Sequence, residues 1–215
     1  MDIARFPPPW PRALEALGYA AEPAKLAGRK KLPLFGMLKK RVSAGEICAA
    51  IDTLAPLVHM LKLEEIDLCG APRFTDLTPL AGLDHLKSIV MWKTGIASLE
   101  PLRGKTSLRE LHVWCTPIES VEALAETPDL TELSVEYTRV ASLEPLAGLR
   151  KLRTLDISGT MVRSLAPLSA VPLTRLIANR TTLEATELRA FRKTHPGCVI
   201  ERSPSYPERS TRCGC

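Results

Sequence analysis

The sequence predicts an α/β repeat fold, a solenoid with a curved parallel sheet on its concave face and short 3₁₀ or irregular returns on its convex face. The first observation is that the hexamer ASLEPL occurs twice, at Ala97–Leu102 and Ala141–Leu146. The second is that the segments around both copies align with other segments in units of about 22 residues. The third is that leucine dominates the apolar positions, and one unit cannot bury its leucines alone. Stacked units bury them in a shared core.

Six consecutive units follow from this alignment. They have 23, 22, 22, 22 and 21 residues before a degenerate last one. Their first residues are Leu63, Leu86, Leu108, Leu130, Leu152 and Leu173. The units share the pattern L-x-x-L-x-L-x-x-T-x-I/V, and most then carry L-x-P-L. Positions within a unit are counted from its first leucine.

Each unit is expected to contain one short strand and one short return. Apolar residues alternate at positions 4 and 6, as in Leu133 and Val135, which is the period-2 signal of a strand with one buried face. Proline lacks an amide hydrogen, so the later L-x-P-L favours a brief 3₁₀ or extended return. The residues at this position are Pro56, Pro79, Pro101, Ala123, Pro145 and Pro167.

A row of threonines follows the strands, at the point where each strand turns into its loop. They are Thr94, Thr116, Thr138, Thr160 and Thr181. A hydroxyl at this place can bond to backbone groups that would otherwise be unsatisfied. We expect each threonine to bond to the backbone of the neighbouring loop.

Caps are expected at both ends, because an exposed terminal unit would leave its leucines and its strand edge in water. Pro56 indicates the second half of an earlier unit whose strand has been replaced by a helical cap. Apolar residues at helical spacing and a capping-box pattern support that cap. These residues are Ser43, Glu46, Ile47, Ile51, Leu54 and Leu57.

The other end is predicted to close with a helix and a strand. The segment EATELRAFRKT favours an amphipathic helix, HPG ends it, and CVIE favours a short strand. The predicted organisation is therefore a leader and helical cap over 1–62, leucine-rich units over 63–183, a C-terminal cap over 184–201 and a disordered tail over 202–215.

The units resemble the 22-residue leucine-rich repeats of the internalins and of the leucine-rich-repeat regulatory subunit of type 1 protein phosphatase. The resemblance covers roughly residues 51–200, and LDISGT at Leu155–Thr160 is bacterial in style. Threonine stands where many members of the class have asparagine. The resemblance implies a curved solenoid that binds proteins on its concave sheet, but a fold does not identify the partner.

Composition and charge fit a soluble protein whose basic residues lie near its ends. The net charge is +5, with ten lysines and arginines against five acids in residues 1–62 and thirteen against fifteen in residues 63–183. A nucleic-acid surface on the central region is disfavoured, because such surfaces need clustered basic residues. We expect a cytoplasmic location, since no segment has the pattern of a signal peptide or a membrane span.

Catalytic, metal and cofactor sites are not indicated. Gly104–Thr106 has the GKT ending of a phosphate-binding loop, but Leu99 occupies the place of the glycine that the motif requires. His112 and Cys115 lie three residues apart on a strand and so point to opposite faces. The six cysteines show neither zinc-ligand nor disulfide spacing, and we interpret them as free thiols. We expect a protein that is not an enzyme and holds no cofactor.

Candidate partner-binding residues come from positions 3, 5 and 7, which should project from the concave face. Two tryptophans are neighbours at position 7, and interface hot spots are rich in tryptophan. Carboxylates surround them. The predicted site residues are Trp92, Trp114, Val90, His112, Tyr137 at the rim, Glu110, Glu132, Glu136, Asp67 and Asp156.

This composition predicts a protein partner that presents an apolar or aromatic anchor flanked by lysine or arginine. An inhibitor, an immunity-like protein and a regulatory or scaffold protein all fit it. The alternative is an adaptor that contacts nucleic acid or an anionic membrane through the basic segment at residues 25–41, although a solvated cap face explains that segment better.

Overall fold

A computed structural model describes residue 11 and residues 29–33, 53–68 and 70–203. In this part of the chain, eight three-residue strands form one sheet, in which every pair of neighbours is parallel and the order follows the sequence. The strands are β1 Lys31–Pro33, β2 Glu65–Asp67, β3 Ser88–Val90, β4 Glu110–His112, β5 Glu132–Ser134, β6 Thr154–Asp156, β7 Arg175–Ile177 and β8 Val199–Glu201. The predicted leucine-rich-repeat solenoid is confirmed.

The predicted register is also correct, because equivalent positions of successive units lie side by side. Leu111 at position 4 pairs with Leu133, and Leu133 with Leu155, and all three are fully buried. Backbone bonds continue the pairing beyond the strand ends, as where the amide of Val113 donates to the carbonyl oxygen of Ser134 at 2.9 Å. The leucines therefore form one continuous core along the solenoid.

The convex returns of the described units are short 3₁₀ helices. They span Ala55–His59, Thr78–Leu80, Glu100–Leu102, Glu122–Glu126, Glu144–Leu146 and Ala166–Ala170. The repeated hexamer forms two of them. In each copy the serine hydroxyl accepts a bond from the glutamate amide two residues later, at 3.2 Å from Ser98 to Glu100 and from Ser142 to Glu144. The duplication thus encodes a start signal for the return and a buried leucine after it.

Position 8 of every unit adopts the left-handed backbone conformation, with φ between 52° and 74°. The six residues are Gly70, Lys93, Cys115, Tyr137, Gly159 and Arg180. L-residues with a side chain adopt this conformation at a cost of about 1 kcal/mol. The turn that ends each strand therefore has one geometry, which glycine satisfies in two units and other residues satisfy with strain in four.

The threonine row is buried except for the half-buried Thr181, and its hydrogen bonds differ from those predicted. The hydroxyl of Thr116 donates to the carbonyl oxygen of Val113 at 2.7 Å, and Thr138 donates to Val135 in the same way. Each bond stays inside its own unit, because the left-handed turn brings the carbonyl of the third preceding residue within reach. The expected bond to the neighbouring loop is wrong. The buried hydroxyl oxygen of Thr94 has no hydrogen-bond partner in the described chain.

The N-terminal edge corrects a second expectation. The strand of the earlier unit is not replaced, because β1 supplies it and pairs with β2 through Lys31 and Glu65. Leu54 and Leu57 are fully buried, but they belong to the 3₁₀ return at Ala55–His59 and its N-cap and not to an α-helix. The remaining residues of the predicted helical cap, 43–51, lie outside the described residues.

The C-terminal end contains the expected helix, α1 at Ala185–Thr194, and the expected strand β8. The carboxylate of Glu187 accepts the amide of Leu165 at 2.9 Å, which joins the helix to the last return. The ring of His195 stacks on Phe191 with centroids 4.1 Å apart, and its Nε2 lies 2.7 Å from the carbonyl oxygen of Val171. These contacts cover the end of the leucine core.

Candidate protein-binding surface

The concave face carries two rows of strand residues on either side of the buried position 4. The position 3 row is Glu65, Ser88, Glu110, Glu132, Thr154 and Arg175. The position 5 row is Asp67, Val90, His112, Ser134, Asp156 and Ile177. Pairing in register places each member directly beside its neighbour on the next strand, and strands in a sheet lie about 4.8 Å apart.

A groove of about 570 Å³ lies on this face. Six of the predicted site residues line it, namely Trp92, His112, Trp114, Glu132, Glu136 and Asp156. Five lining residues are absent from the predicted set, namely Leu133, Ser134, Thr154, Arg175 and Ile177. The groove therefore extends from the tryptophans toward the C-terminal units, further than the tryptophan signal alone indicates.

Aromatic rings form one wall of the groove. The rings of His112 and Trp114 meet edge to face, with centroids 5.5 Å apart and planes at 82°. The ammonium of Lys93 lies 5.3 Å from the centroid of the Trp92 ring, within the range of a cation–π contact. Both tryptophans are half-buried rather than fully exposed as predicted. Their rings thus have a restricted orientation before any partner binds.

Carboxylates line the groove beside the aromatic rings. Glu136 and Asp156 are only 6% and 8% exposed, and Asp156 Oδ1 accepts the amide of Ser158 at 2.8 Å. Glu132 is more accessible, and its Oε1 lies 3.7 Å from His112 Nε2. Three acidic residues thus line the groove.

Arg175 is the basic residue that lines the groove. Its guanidinium pairs with the carboxylate of Glu201 on β8, at 2.7 Å. This salt bridge lies at the C-terminal end of the groove, beyond Thr154. The groove consequently has an acidic and aromatic middle and a mixed-charge end.

Four predicted residues lie outside the groove lining. Val90 and Asp67 are on the strands before it, and the Glu110 carboxylate accepts the Ser88 hydroxyl at 3.0 Å. Tyr137 is in the left-handed turn after β5 and is 8% exposed. Its ring packs against Gly159 of the next unit. The sequence alone does not show whether a tyrosine just after a strand lies in this buried turn or at the rim of the concave face.

The described part of the basic segment 25–41 is joined to the sheet. Lys30 and Lys31 form salt bridges with Glu64 and Glu65, at 2.7 and 2.6 Å. Hydrogen bonds from Lys30 and then from Lys87 lower the pKa of Glu64 to about 2. Two of the segment's lysines therefore have acidic neighbours within the protein.

The two described cysteines differ. Cys198 is a free thiol, and burial raises its pKa. Cys115 is disulfide-bonded, so the expectation of free thiols is wrong at this position. Disulfides are typical of oxidising compartments, and the predicted cytoplasmic location stays a prediction. In the described residues, no helix has the length and apolar character of a membrane span, and no three potential metal-ligating side chains form a cluster.

Comparison with known proteins finds relatives by structure. No family model matches the sequence, and no curated protein matches it. Internalin C2 from Listeria monocytogenes superposes with a TM-score of 0.64 at 25% identity, over 71% of this chain and 67% of that chain.

Two further internalin structures from Listeria monocytogenes share the fold at lower identity. Internalin F superposes with a TM-score of 0.53 at 17% identity, over 79% of this chain and 60% of its own. The functional domain of InlJ has a TM-score of 0.55 at 18% identity, over 68% of this chain and 31% of that one. The chain is thus a leucine-rich-repeat protein of the 22-residue class, with an internalin-like solenoid.

Proposed function

We propose that this chain is a non-catalytic protein-interaction module that binds a protein partner in its concave groove. The observation that carries the proposal is the groove itself, in which Trp92, Trp114 and His112 face a group of carboxylates. Half-buried tryptophans are efficient anchors because they offer large contact areas and lose little conformational freedom on binding. The likeness to internalins supports the same class of function.

The partner is expected to carry an apolar or aromatic anchor beside basic residues. The aromatic wall suits the anchor, while Glu132, Glu136 and Asp156 suit lysine or arginine. Such a module serves as an inhibitor, an immunity-like protein or a regulatory scaffold, depending on what the partner does. The contact chemistry is the same in each case.

The alternative function, contact with nucleic acid or an anionic membrane through residues 25–41, has weaker support. Lys30 and Lys31 are engaged by Glu64 and Glu65, which reduces the positive potential that a phosphate surface would meet. Charge reversal at Lys30, Lys31, Lys39 and Lys40 separates the two functions. Loss of partner capture in that variant, with the groove intact, would favour the alternative.

The direct test is affinity capture from the source organism, followed by binding measurements with the purified partner. The double variant Trp92→Ala/Trp114→Ala is compared with Leu61→Ala/Met161→Ala, which removes two apolar side chains that are 61% and 58% exposed outside the groove. Loss of a central tryptophan should cost about 2 kcal/mol or more of binding free energy.

We expect the tryptophan variant to lose the partner and the control variant to keep it. Circular dichroism and thermal melting establish that both variants are folded. If the tryptophan variant is folded and binds the partner with the same affinity as the wild type, the proposed function of the groove is wrong.

A further inference from the structure

The middle of the groove contains a depression whose floor is Ser134. This serine lies at position 5 of β5, between the larger side chains of His112 on β4 and Asp156 on β6. It is itself 8% exposed. A small residue between two larger ones leaves a gap about two strand spacings wide, or about 10 Å between the flanking backbones.

Carboxylates border the depression on three sides. Glu132 and Ser134 lie two residues apart on β5, so their side chains share one face of the strand, and Glu136, two residues after Ser134 in the turn that follows, also lines the groove. Asp156 borders it from the next strand. We name this depression the Ser134 socket and define it by Ser134, Glu132, Glu136, Asp156 and His112.

The fourth side of the socket is aromatic. His112 is the strand neighbour of Ser134, and its ring is held edge to face against Trp114. A ring held in this way offers a flat surface beside the acidic groups. A planar cation can stack on such a surface while its N–H groups donate to carboxylates at its edge.

This arrangement favours a guanidinium over other side chains. Arginine presents five donors in one plane, so it can reach several carboxylates at once and stack on a ring, whereas the ammonium of lysine is a more strongly hydrated point charge. A neutral side chain would desolvate the acidic groups of the socket without compensation. The socket therefore matches arginine in charge, shape and donor number.

We propose that the Ser134 socket receives an arginine side chain from a protein partner. This inference rests on the proposed function of the groove and names the anchor that it recognises. The arginine enters above Ser134, donates to Glu132, Glu136 or Asp156, and stacks on His112. Arg175, which Glu201 holds, lies at the C-terminal end of the groove. Its positive charge would repel a second cation of the partner from that end.

The probe is the capped tripeptide Ac-Ala-Arg-Ala-NH₂, titrated into the full ¹⁵N-labelled chain and followed through the indole N–H signals of the tryptophans. Single Trp92→Phe and Trp114→Phe variants assign these signals. The comparison peptides replace arginine with citrulline, which has nearly the same shape without the charge, or with lysine. We expect saturable shifts of the Trp114 signal with arginine, and at least about tenfold weaker binding of citrulline, since charge-assisted hydrogen bonds are lost.

Two protein variants separate the socket from the groove as a whole. Ser134→Leu fills the depression and leaves every carboxylate in place, so arginine binding should be lost. Ser88→Leu is the matched control, because it makes the same change on the concave face of β3, outside the groove lining. Binding should be retained there. The double variant Glu132→Gln/Asp156→Asn should weaken arginine binding without changing the response to citrulline.

The outcomes distinguish this inference from the proposed function. Equal titration by arginine and citrulline, or undiminished arginine binding by folded Ser134→Leu, overturns the arginine socket even if partner capture still depends on the tryptophans. Conversely, selective arginine binding with tryptophan-independent capture supports the socket and overturns the proposed function. A preference for lysine over arginine would contradict the role of guanidinium planarity.

Discussion

Two rows of side chains leave the same strands in opposite directions, and they differ in how far their residues repeat. The inward row at position 4 is Ile66, Ile89, Leu111, Leu133, Leu155 and Leu176, each at most 2% exposed. The outward row at position 5 is Asp67, Val90, His112, Ser134, Asp156 and Ile177. The first row contains only isoleucine and leucine, whereas the second contains acidic, aliphatic, aromatic and hydroxyl side chains.

The difference shows which constraint acts on each row. An inward side chain packs against the same residue of the units before and after it, so a change of volume at one place is felt in three units. An outward side chain meets solvent or a partner and has no such restriction. Substitutions at the inward positions should therefore change mainly the free energy of unfolding, whereas a substitution at Glu132, the more accessible carboxylate of the socket, should change mainly binding.

The largest expected effect on the stability of the repeated units comes from the left-handed turns at position 8. Gly159→Ala places a methyl group where φ is +65° and where it would overlap the Tyr137 ring of the preceding unit. Backbone strain and displacement of the ring should together lower the free energy of unfolding by about 3 kcal/mol. Chemical denaturation measures the change.

Gly70→Ala is the matched control for that variant. Its φ is +74°, but among the described residues no atom beyond its two chain neighbours lies within 4 Å of the added methyl group. We expect a loss of only about 1 kcal/mol, from the backbone alone. If the two alanine variants lose the same stability, contact with Tyr137 does not constrain the turn at Gly159.

A smaller effect is expected from the threonine row, in which all members except Thr94 donate to the carbonyl of the third preceding residue. Thr116→Val removes a buried hydroxyl that donates to Val113 at 2.7 Å and leaves that carbonyl without this donor. The cost should be about 1 kcal/mol. Thr94→Val removes a buried hydroxyl oxygen that has no partner in the described chain, so it should be neutral or stabilising.

Thermal melting of the two valine variants tests whether the hydroxyl or the shape is what the repeat requires. Thr116→Val should lower the melting temperature, whereas Thr94→Val should leave it unchanged or raise it. Equal destabilisation would mean that shape matters at this position and that the hydrogen bond to the third preceding carbonyl contributes nothing measurable.

Features that every unit shares could be predicted from the sequence. The period-2 pattern around Leu133 predicts a strand with one buried face, and its copies predict parallel neighbours in register. The proline and leucine of each hexamer predict the 3₁₀ return. These predictions are reliable because each unit packs against a copy of itself. The residues that form the local pattern are then also the residues that make the contacts between units.

Features that depend on a single place in the solenoid could not be predicted. Ser134 has no sequence signal of its own, since a serine becomes a floor only when His112 and Asp156 stand beside it. β1 escapes the repeat pattern because a long segment separates Lys31–Pro33 from the return at Ala55–His59. Trp92 and Trp114 line the groove, because a large side chain at an outward position has no core to enter.

The smallest expected effect on stability concerns the N-terminal edge of the sheet, where charged groups join β1 to the repeats. Glu64 accepts hydrogen bonds from Lys30 and Lys87, at 2.7 and 2.9 Å, and its pKa falls from an ordinary value of 4.5 to about 2. A carboxyl whose pKa is lower in the folded state stabilises that state above its ordinary pKa. The contribution disappears as the pH falls from 4.5 toward 2.

Glu64→Gln should therefore flatten the pH dependence of stability in that window and leave the melting temperature at pH 7 only slightly lower, since exposed ion pairs contribute little. The expected difference also shrinks at high salt, which screens exposed charges. Glu119→Gln, which alters an exposed pair with Arg139 on the convex side, is the control. An unchanged profile in Glu64→Gln would mean that the Lys30–Glu64 pair contributes nothing measurable and that β1 is held by its backbone pairing with β2 and by the Lys31–Glu65 pair.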